Sequence, residues 1–478
     1  MQYSIINFDI TREESDFRLD AEYYHPKYIH LEKDINSLNS NYFGTLVDEI
    51  RCGPFGSTVL CDSYMADGVV VARPFNLVNC SLERENLVYI PETEANAKKL
   101  KFYQEGDIFF SRVGDVRCGI VPKFSQKVTI SPNIIAVKVN KKKINPYYST
   151  IFFNTKYGLP QIERGLKVVA QPTIQTDLIS KIRIVLLSSQ FQQKIETIFV
   201  HSLKLNDQCK EKYKEAENIL LSELNLLGWK PKHTLSFIKK FSETQTTHRI
   251  DADYFQPAYE EIIHAIRHCK NGYKKLNEIV SIKKSVEPGS SVYRESGVPF
   301  VRISNLSMYG ITTDNQQYIS EDLYKDLIKY QPNIGEILLS KDGTPGIALH
   351  LKEEPKKMIP SGGILRLSVK DTSILPEYLT LVLNSILAQQ QILRDVGGSI
   401  IIHWLTDHIE NTLVPVLDEK IQRNITDIVN SSFQARNQSK ALLEIAKEGV
   451  EMAIEKNELE AIDWIKNQVA ELGLALED

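Results

Sequence analysis

The side chains in this sequence best equipped for chemistry are cations, amides and hydroxyls set beside glycine turns. Ser111-Arg112 stand just before Gly114, and Ser340-Lys341 stand just before Gly343. Arg73 leads to Asn76, and Arg302 leads to Asn305 at the same interval. Such groups bind rather than react. Ammonium, guanidinium and hydroxyl groups donate hydrogen bonds to anionic oxygens, and the planar ends of Arg, Asn and Gln match the edges of bases. Ser111, Arg112, Ser340 and Lys341, closing a strand-like run, suit contact with a phosphate. Arg73, Asn76, Arg302 and Asn305 suit either a phosphate contact or a hydrogen bond within the fold.

Covalent chemistry finds little support. There is no G-x-x-x-x-G-K-[ST] loop, no G-x-G-x-x-G and no H-E-x-x-H. Asn145-Pro146-Tyr147-Tyr148 approaches the Asn-Pro-Pro-Tyr box of amino-methyltransferases but lacks its second proline. No glycine-rich cofactor motif precedes it. A helix start with proline at its first position is the better account. The ten histidines show no ligand spacing, and the six cysteines show no C-x-x-C. That pattern predicts reduced thiols, with neither a zinc site nor a disulfide framework. The expectation is a chain with no catalytic residue, no metal and no cofactor of its own.

The elements that carry these residues occur twice. FRLDAEYYHPKY from Phe17 returns as HRIDADYFQPAY from His248, shifted by 231. GVVVARPFNL from Gly68 answers GVPFVRISNL from Gly297, shifted by 229. EGDIFFSRVG, ending at Gly114, answers IGEILLSKDG, ending at Gly343. Pro146, Tyr148 and Asn154 answer Pro376, Tyr378 and Asn384, and QTDLISKIRIVLLSS answers LTDHIENTLVPVLDE, both shifted by 230. An offset that wanders so little over this length reads as gene duplication with divergence. The intervening stretches, such as 78–100 against 307–329, barely match, as two sites on one scaffold with different ligands would look.

Each copy opens with helix-like apolar spacing, at 23–38 and 254–269. Strand-like runs follow at 68–75, 107–112 and 129–139, and again at 298–303, 336–341 and 363–369. Helices are expected at 146–157 and 376–390, after prolines. The fold class is therefore α+β, with two tandem units. This placement extends the candidate residues. Arg51 and Ser57 flank a Gly-Pro-Phe-Gly turn, with Ser290 and Ser291 in its counterpart. Arg117 in one glycine turn, and Asp342 and Thr344 in the other, differ between copies and so suit base reading. A closing loop carries Arg164, Lys167, Gln171 and Thr173 in the first copy and Arg394, Ser399, His403 and Trp404 in the second.

Each copy ends in a long helix. Phe191, Ile195, Ile198, Ser202, Leu205, Cys209, Lys212, Ala216 and Ile219 keep a 4-3 rhythm. Ile421, Ile425, Ile428, Ser432, Ala435, Ser439, Leu442, Ala446 and Gly449 repeat it. This is a coiled-coil seam, and its Ser, Ala and Gly residues permit close approach. An antiparallel pair with pseudo-twofold symmetry is expected. About 35 residues at ~1.5 Å each give roughly 50 Å, comparable with some 10–15 base pairs of duplex.

At these motifs the chain resembles the specificity (S) subunit of type I restriction–modification enzymes. The resemblance rests on R-L/I-D-A-E/D-Y, G-V-x-x-x-R-x-x-N-L, G-D/E-I-x-x-S-R/K-x-G, P-x-Y-x-x-x-x-x-N and the closing segment before each long helix, in order and twice. One departure concerns the family's I-P-L-P step, which reads I-V-L-L at 184–187 and keeps one proline at 414–417. The resemblance implies target recognition domains at 1–189 and 228–418, a central spacer helix at 190–227, and a C-terminal spacer helix and tail at 419–478. It implies that each domain reads one half of a split, asymmetric double-stranded DNA site. Two methyltransferase (M) subunits that use S-adenosylmethionine to methylate adenine N6 would dock on the chain, and restriction (R) subunits could join them. The alternatives are a specificity subunit of another methylation-based phage-defence system, or a two-headed protein-binding scaffold.

Bulk properties agree with a globular protein. Of 478 residues, 42% are hydrophobic and 25% charged, which is ample for a core. A net charge of −4 does not preclude local basic patches. The N-terminus carries acids and no apolar h-region, and no apolar run reaches the ~18 residues that span a bilayer. A cytoplasmic location is expected.

Overall fold

The computed structural model describes residues 19–475 apart from Ser57, Leu60, 167–172, Asp314 and 397–402. The chain divides into two compact units: Met1–Asn206 with Asn437–Asp478, and Asp207–Arg436. Both mix helices with β-sheet. Among the described residues no helix is long and apolar enough to cross a membrane.

In the first unit the opening helix is Pro26–Asn36, with proline at its first turn and the His25 side chain accepting from the Lys27 amide. The main sheet runs Val47–Cys52, Ile134–Val139, Ile108–Ser111, Cys118–Ile120, Ser81–Leu82, Leu77–Val78. A second sheet places Val69–Ala72 between Val88–Ile90 and Val128–Ile130. The two central apolar runs, Val69–Ala72 and Ile108–Ser111, are buried at every position. That is the mark of strands covered on both faces, for which continuous hydrophobicity replaces alternation. The apolar run expected over 129–139 is two strands in two different sheets. Ser131-Pro132-Asn133 breaks it, because proline cannot donate to a ladder.

The second unit has a sheet in the order Val280–Lys284, Ile364–Val369, Ile337–Ser340, Ala348–His350. Its smaller sheet places Val298–Val301 between Gln317–Ile319 and Ile359–Pro360. Strand for strand, this order repeats the first four strands of the main sheet and all three of the second sheet in the other unit. Side-chain braces repeat as well. Tyr148 Oη donates to the Val185 carbonyl at 2.6 Å, and Tyr378 Oη to the Pro415 carbonyl at 2.8 Å. Gln192 accepts from the Asn145 amide, and Gln422 accepts from the Leu375 amide, both at 3.0 Å.

The long helices are Ser189–Glu223 and Glu419–Glu455. Within the first unit, Ser202 and Ser439 each donate a hydroxyl to the other's carbonyl at 2.8 Å. Within the second, the Ser432 hydroxyl donates to the Cys209 carbonyl at 2.7 Å. Small seam residues bring backbone and hydroxyl within hydrogen-bond reach there. The final helix, Glu458–Glu471, is a separate element that the tail expected beyond Glu455 did not include. Asn457 caps it, accepting from the Glu460 amide at 2.9 Å. Ile465 of this helix packs over Gly449, where a Cβ would lie 2.6 Å from its Cδ1. Glu458 then accepts from the Ser188 amide at 2.7 Å.

Candidate nucleic-acid interface

In each unit the strands deliver their polar residues to one end of the sheets. Val47–Cys52 and Ile108–Ser111 end there, Cys118–Ile120 and Ile134–Val139 begin there, and Val69–Ala72 and Val128–Ile130 end beside them. Backbone bonds lock the junctions together. The Ser131 amide donates to the Ala72 carbonyl at 2.9 Å, the Gly53 amide to Ile134 at 2.9 Å, and the Arg112 amide to Asn133 at 2.8 Å. The second unit repeats two of these bonds, Ser361 to Val301 at 2.8 Å and Lys341 to Gly363 at 2.9 Å.

The serines close the glycine turns. Ser111 Oγ donates to the Asp115 carbonyl at 2.6 Å and accepts from the Arg117 amide at 2.8 Å. Ser340 Oγ donates to the Thr344 carbonyl at 2.6 Å and accepts from the Ile347 amide at 2.9 Å. Both serines are buried. Each therefore shapes the turn, and the residue after it, Arg112 or Lys341, reaches the partly exposed surface. Arg117 pairs loosely with Asp115 at 3.7 Å, and Thr344 is exposed at the turn tip.

Asn76 and Asn305 are buried, and each accepts the backbone N–H of its arginine, at 3.0 Å from Arg73 and 3.2 Å from Arg302. Arg73 Nη2 donates to the Asn86 carbonyl at 2.7 Å, and Arg302 Nη2 to the Asn315 carbonyl at 2.5 Å. Asn86 and Asn315 sit at φ +52° and +49°, a region that asparagine tolerates. The Arg–Asn pairs thus brace a loop. Among the described residues, Arg73 Nε, Arg112 Nε, Arg302 Nε and Ser131 Oγ are buried donors with no partner.

The residues Thr173-Ile174 and His403-Trp404 are bonded to the glycine turn in their units. Val113 bridges Thr173, and Asp342 bridges His403. The Ile174 amide donates to the Arg112 carbonyl at 2.9 Å, and the Trp404 amide to the Lys341 carbonyl at 2.8 Å. His403 is exposed and its Nδ1 lies 2.8 Å from Asp342 Oδ1. Burial pushes the Asp342 carboxyl up, but hydrogen bonds from Lys341 and His403 outweigh it and hold the group below its ordinary value. Trp404 corrects the expectation of a surface contact: it is 1% exposed, and its indole lies in the core of the second unit. Its Nε1 donates to Asp395, whose carboxyl burial pushes up.

Arg164 and Arg394 face the opening segment. Arg164 lies 4.2 Å over the Tyr23 ring and donates to the Tyr23 carbonyl at 2.9 Å and to Glu32 at 2.8 Å. Arg394 lies 4.4 Å over the Tyr254 ring and donates to its hydroxyl at 2.5 Å. These cations clamp the two ends of each fold unit, a role that their match to the opening tyrosines could have signalled. Arg51 is exposed and paired with Glu49 at 2.8 Å. Ser290 and Ser291 are exposed in a turn after Gly289, which has φ +89°. Ser57, Lys167, Gln171 and Ser399 lie outside the described residues.

The Asn145 box is a helix cap. Asn145 Oδ1 accepts from the Tyr147 and Tyr148 amides at 2.8 and 3.2 Å, and Pro146 opens the helix Pro146–Phe153. Among the described residues no cluster of three or more His, Cys, Asp or Glu could hold a metal. Cys52, Cys80, Cys118, Cys209 and Cys269 are free thiols.

No protein-family profile matches the chain, and no curated protein does. Among solved structures, the chain is similar to the S subunit of a type I restriction–modification system from M. genitalium. The two share 12% identity over 89% of this chain and 96% of that one, with a TM-score of 0.40. It is similar to the HsdS subunit from Thermoanaerobacter tengcongensis at 13% identity, over 87% and 96% of the chains, with a TM-score of 0.29. A chain from a type I R-M system, in a structure concerned with complex assembly and conformational transition, shows 13% identity over 89% and 96%, with a TM-score of 0.27.

Proposed function

We propose that this chain is the DNA-specificity subunit of a type I restriction–modification complex, a recognition protein rather than an enzyme. One observation carries the reading. Twice, on the same strand order, backbone bonds gather a cation, a glycine turn and a polar residue, Thr173 or His403, at one end of the sheets. Rigid elements that present cations and planar polar groups from loops are what groove reading requires. The ordered motifs of the sequence point to the same family.

In this reading Arg112 and Lys341 contact phosphates, while Arg51, Ser290 and Ser291 flank the duplex. Arg117 and Thr173 in one unit, and Thr344 and His403 in the other, meet base edges. Arg73 and Arg302 hold their loops. The buried Ser111, Ser340, Asn76, Asn305 and Trp404, with Arg164 and Arg394, keep those surfaces in shape. Each unit reads one half of a bipartite double-stranded site, and the long helices set the spacer. Two M subunits supply S-adenosylmethionine chemistry, R subunits can join, and the complex works in the cytoplasm.

The test is a swap. Replacing residues 1–190 with the equivalent part of a homologue should change one half-site and leave the other intact. A change in both, or in neither, contradicts two independent readers.

A further inference from the structure

Gly53-Pro54-Phe55-Gly56 forms the most apolar projection at the sheet end of the first unit. Gly53 is pressed against the turn at 131–133: a Cβ there would lie 2.0 Å from the Ser131 carbonyl oxygen. Pro54 restricts φ, and the Phe55 carbonyl accepts from the Thr58 amide at 2.8 Å, closing a turn. The backbone is thus braced on both sides of Phe55. Its side chain nevertheless stands 89% exposed. A phenyl ring held out in water forgoes the burial that would stabilise it, so its placement calls for a partner.

The surroundings say which partner. Arg51, paired with Glu49, is the last residue but one of the strand leading into this loop, and Arg112 is tied to the 131–133 turn on which Gly53 rests. Arg73 follows Ala72 at the same junction, its guanidinium 4.1 Å over the ring of Phe75, which is itself half exposed. Cations at this sheet end, one of them stacked on an exposed ring, match a polyanion with an apolar stack inside it, which is duplex DNA. The second unit lacks the feature. Its corresponding loop, 286–292, carries Pro288 and Gly289 and no aromatic residue, and Ser304 stands where Phe75 does.

We propose that Phe55 is a wedge that enters a base step in the half-site read by the first unit, and that the second unit reads without one. Apolar side chains inserted this way unstack the step and bend the duplex, and the strain is offset by the wider contact it allows. The inference rests on the DNA-reading function proposed above. It makes the two half-sites differ in deformability and not only in sequence.

The experiment uses the whole chain assembled with its methyltransferase, on duplexes in which 2-aminopurine replaces single bases along each half-site, away from the methylated adenine. One step in the first unit's half-site should brighten on binding. Phe55→Ala should abolish that signal and weaken binding roughly tenfold, while Phe55→Leu, still apolar, should keep part of both. No step in the other half-site should respond. The wedge is overturned if the signal survives Phe55→Ala, or if site-specific binding occurs with no brightening in that half-site. A wild-type complex without sequence-specific binding would instead overturn the DNA-reading function, and the wedge with it.

Discussion

The two glycine turns are closed by the same serine and edged by different chemistry. Around Ser111 the turn offers Arg112, Val113 and Arg117, with Phe55 and Phe75 exposed at the same sheet end. Around Ser340 it offers Lys341, Asp342 and Thr344, with His403 bound to Asp342 and, among the described residues there, no exposed phenylalanine. The difference separates two jobs. The buried serine closes each turn in the same way, and among the residues that differ between the units Arg117 is partly exposed and Thr344 is exposed.

The largest expected effect lies in the core. Trp404→Ala should destabilise the second unit by about 3–5 kcal/mol, and Ile174→Ala, at the matching position, the first by about 2–5 kcal/mol. Denaturant titration followed by hydrogen exchange in each unit measures both. If Trp404→Ala left the second unit's exchange unchanged, the indole would not anchor that core. Next come the serine latches. Ser111→Ala and Ser340→Ala each leave a carbonyl and an amide of the turn without their hydroxyl, at about 0.5–1.5 kcal/mol. Similar losses are expected. A loss in one unit only would break the idea of a shared latch.

The smallest effect separates the units by pH. The Asp342 carboxyl titrates below its ordinary value, so its pairing contributes stability above that value, 3.8, and loses it as pH falls through the lowered one. Val113 has nothing to titrate at that place. Acidification below about pH 4 should therefore raise amide exchange at 341–346 more than at 112–117. Equal responses would mean that the Asp342 contacts with Lys341 and His403 do not hold the turn.

Much of this arrangement was legible before the structure. Helix starts fell at the prolines 146 and 376, because a residue without an N–H suits the first turn, while the opening helices expected from 23 and 254 begin three residues later, at Pro26 and Pro257. The long helices were legible from an unbroken apolar rhythm. Three features were not. The run at 129–139 hid a change of sheet, since apolar content alone does not report a partner strand. Trp404 stood at the end of a segment read as a surface loop, and its register with Ile174, an aliphatic residue that is also buried, marks it as core. The last helix was hidden because the seam pattern stops near Gly449. Its signal was local, an Asn457-x-x-Glu460 cap that reverses the chain onto Gly449. For the candidate interface, the residue types were visible, but their bonding was not. Arg164 and Arg394 look like ligand contacts in sequence, and in the fold they hold neighbouring backbone and rings; of the two roles open to Asn76 and Asn305, the fold shows the internal hydrogen bond.

The central claim is that the chain directs adenine methylation to a split DNA site. The direct measurement is methylome sequencing of a host carrying the neighbouring methyltransferase gene, with and without this chain. The account predicts a bipartite adenine-methylated motif, two half-sites around a fixed spacer, that disappears with the chain. An adenine methylation pattern indifferent to the chain, with the methyltransferase present and active, would contradict it.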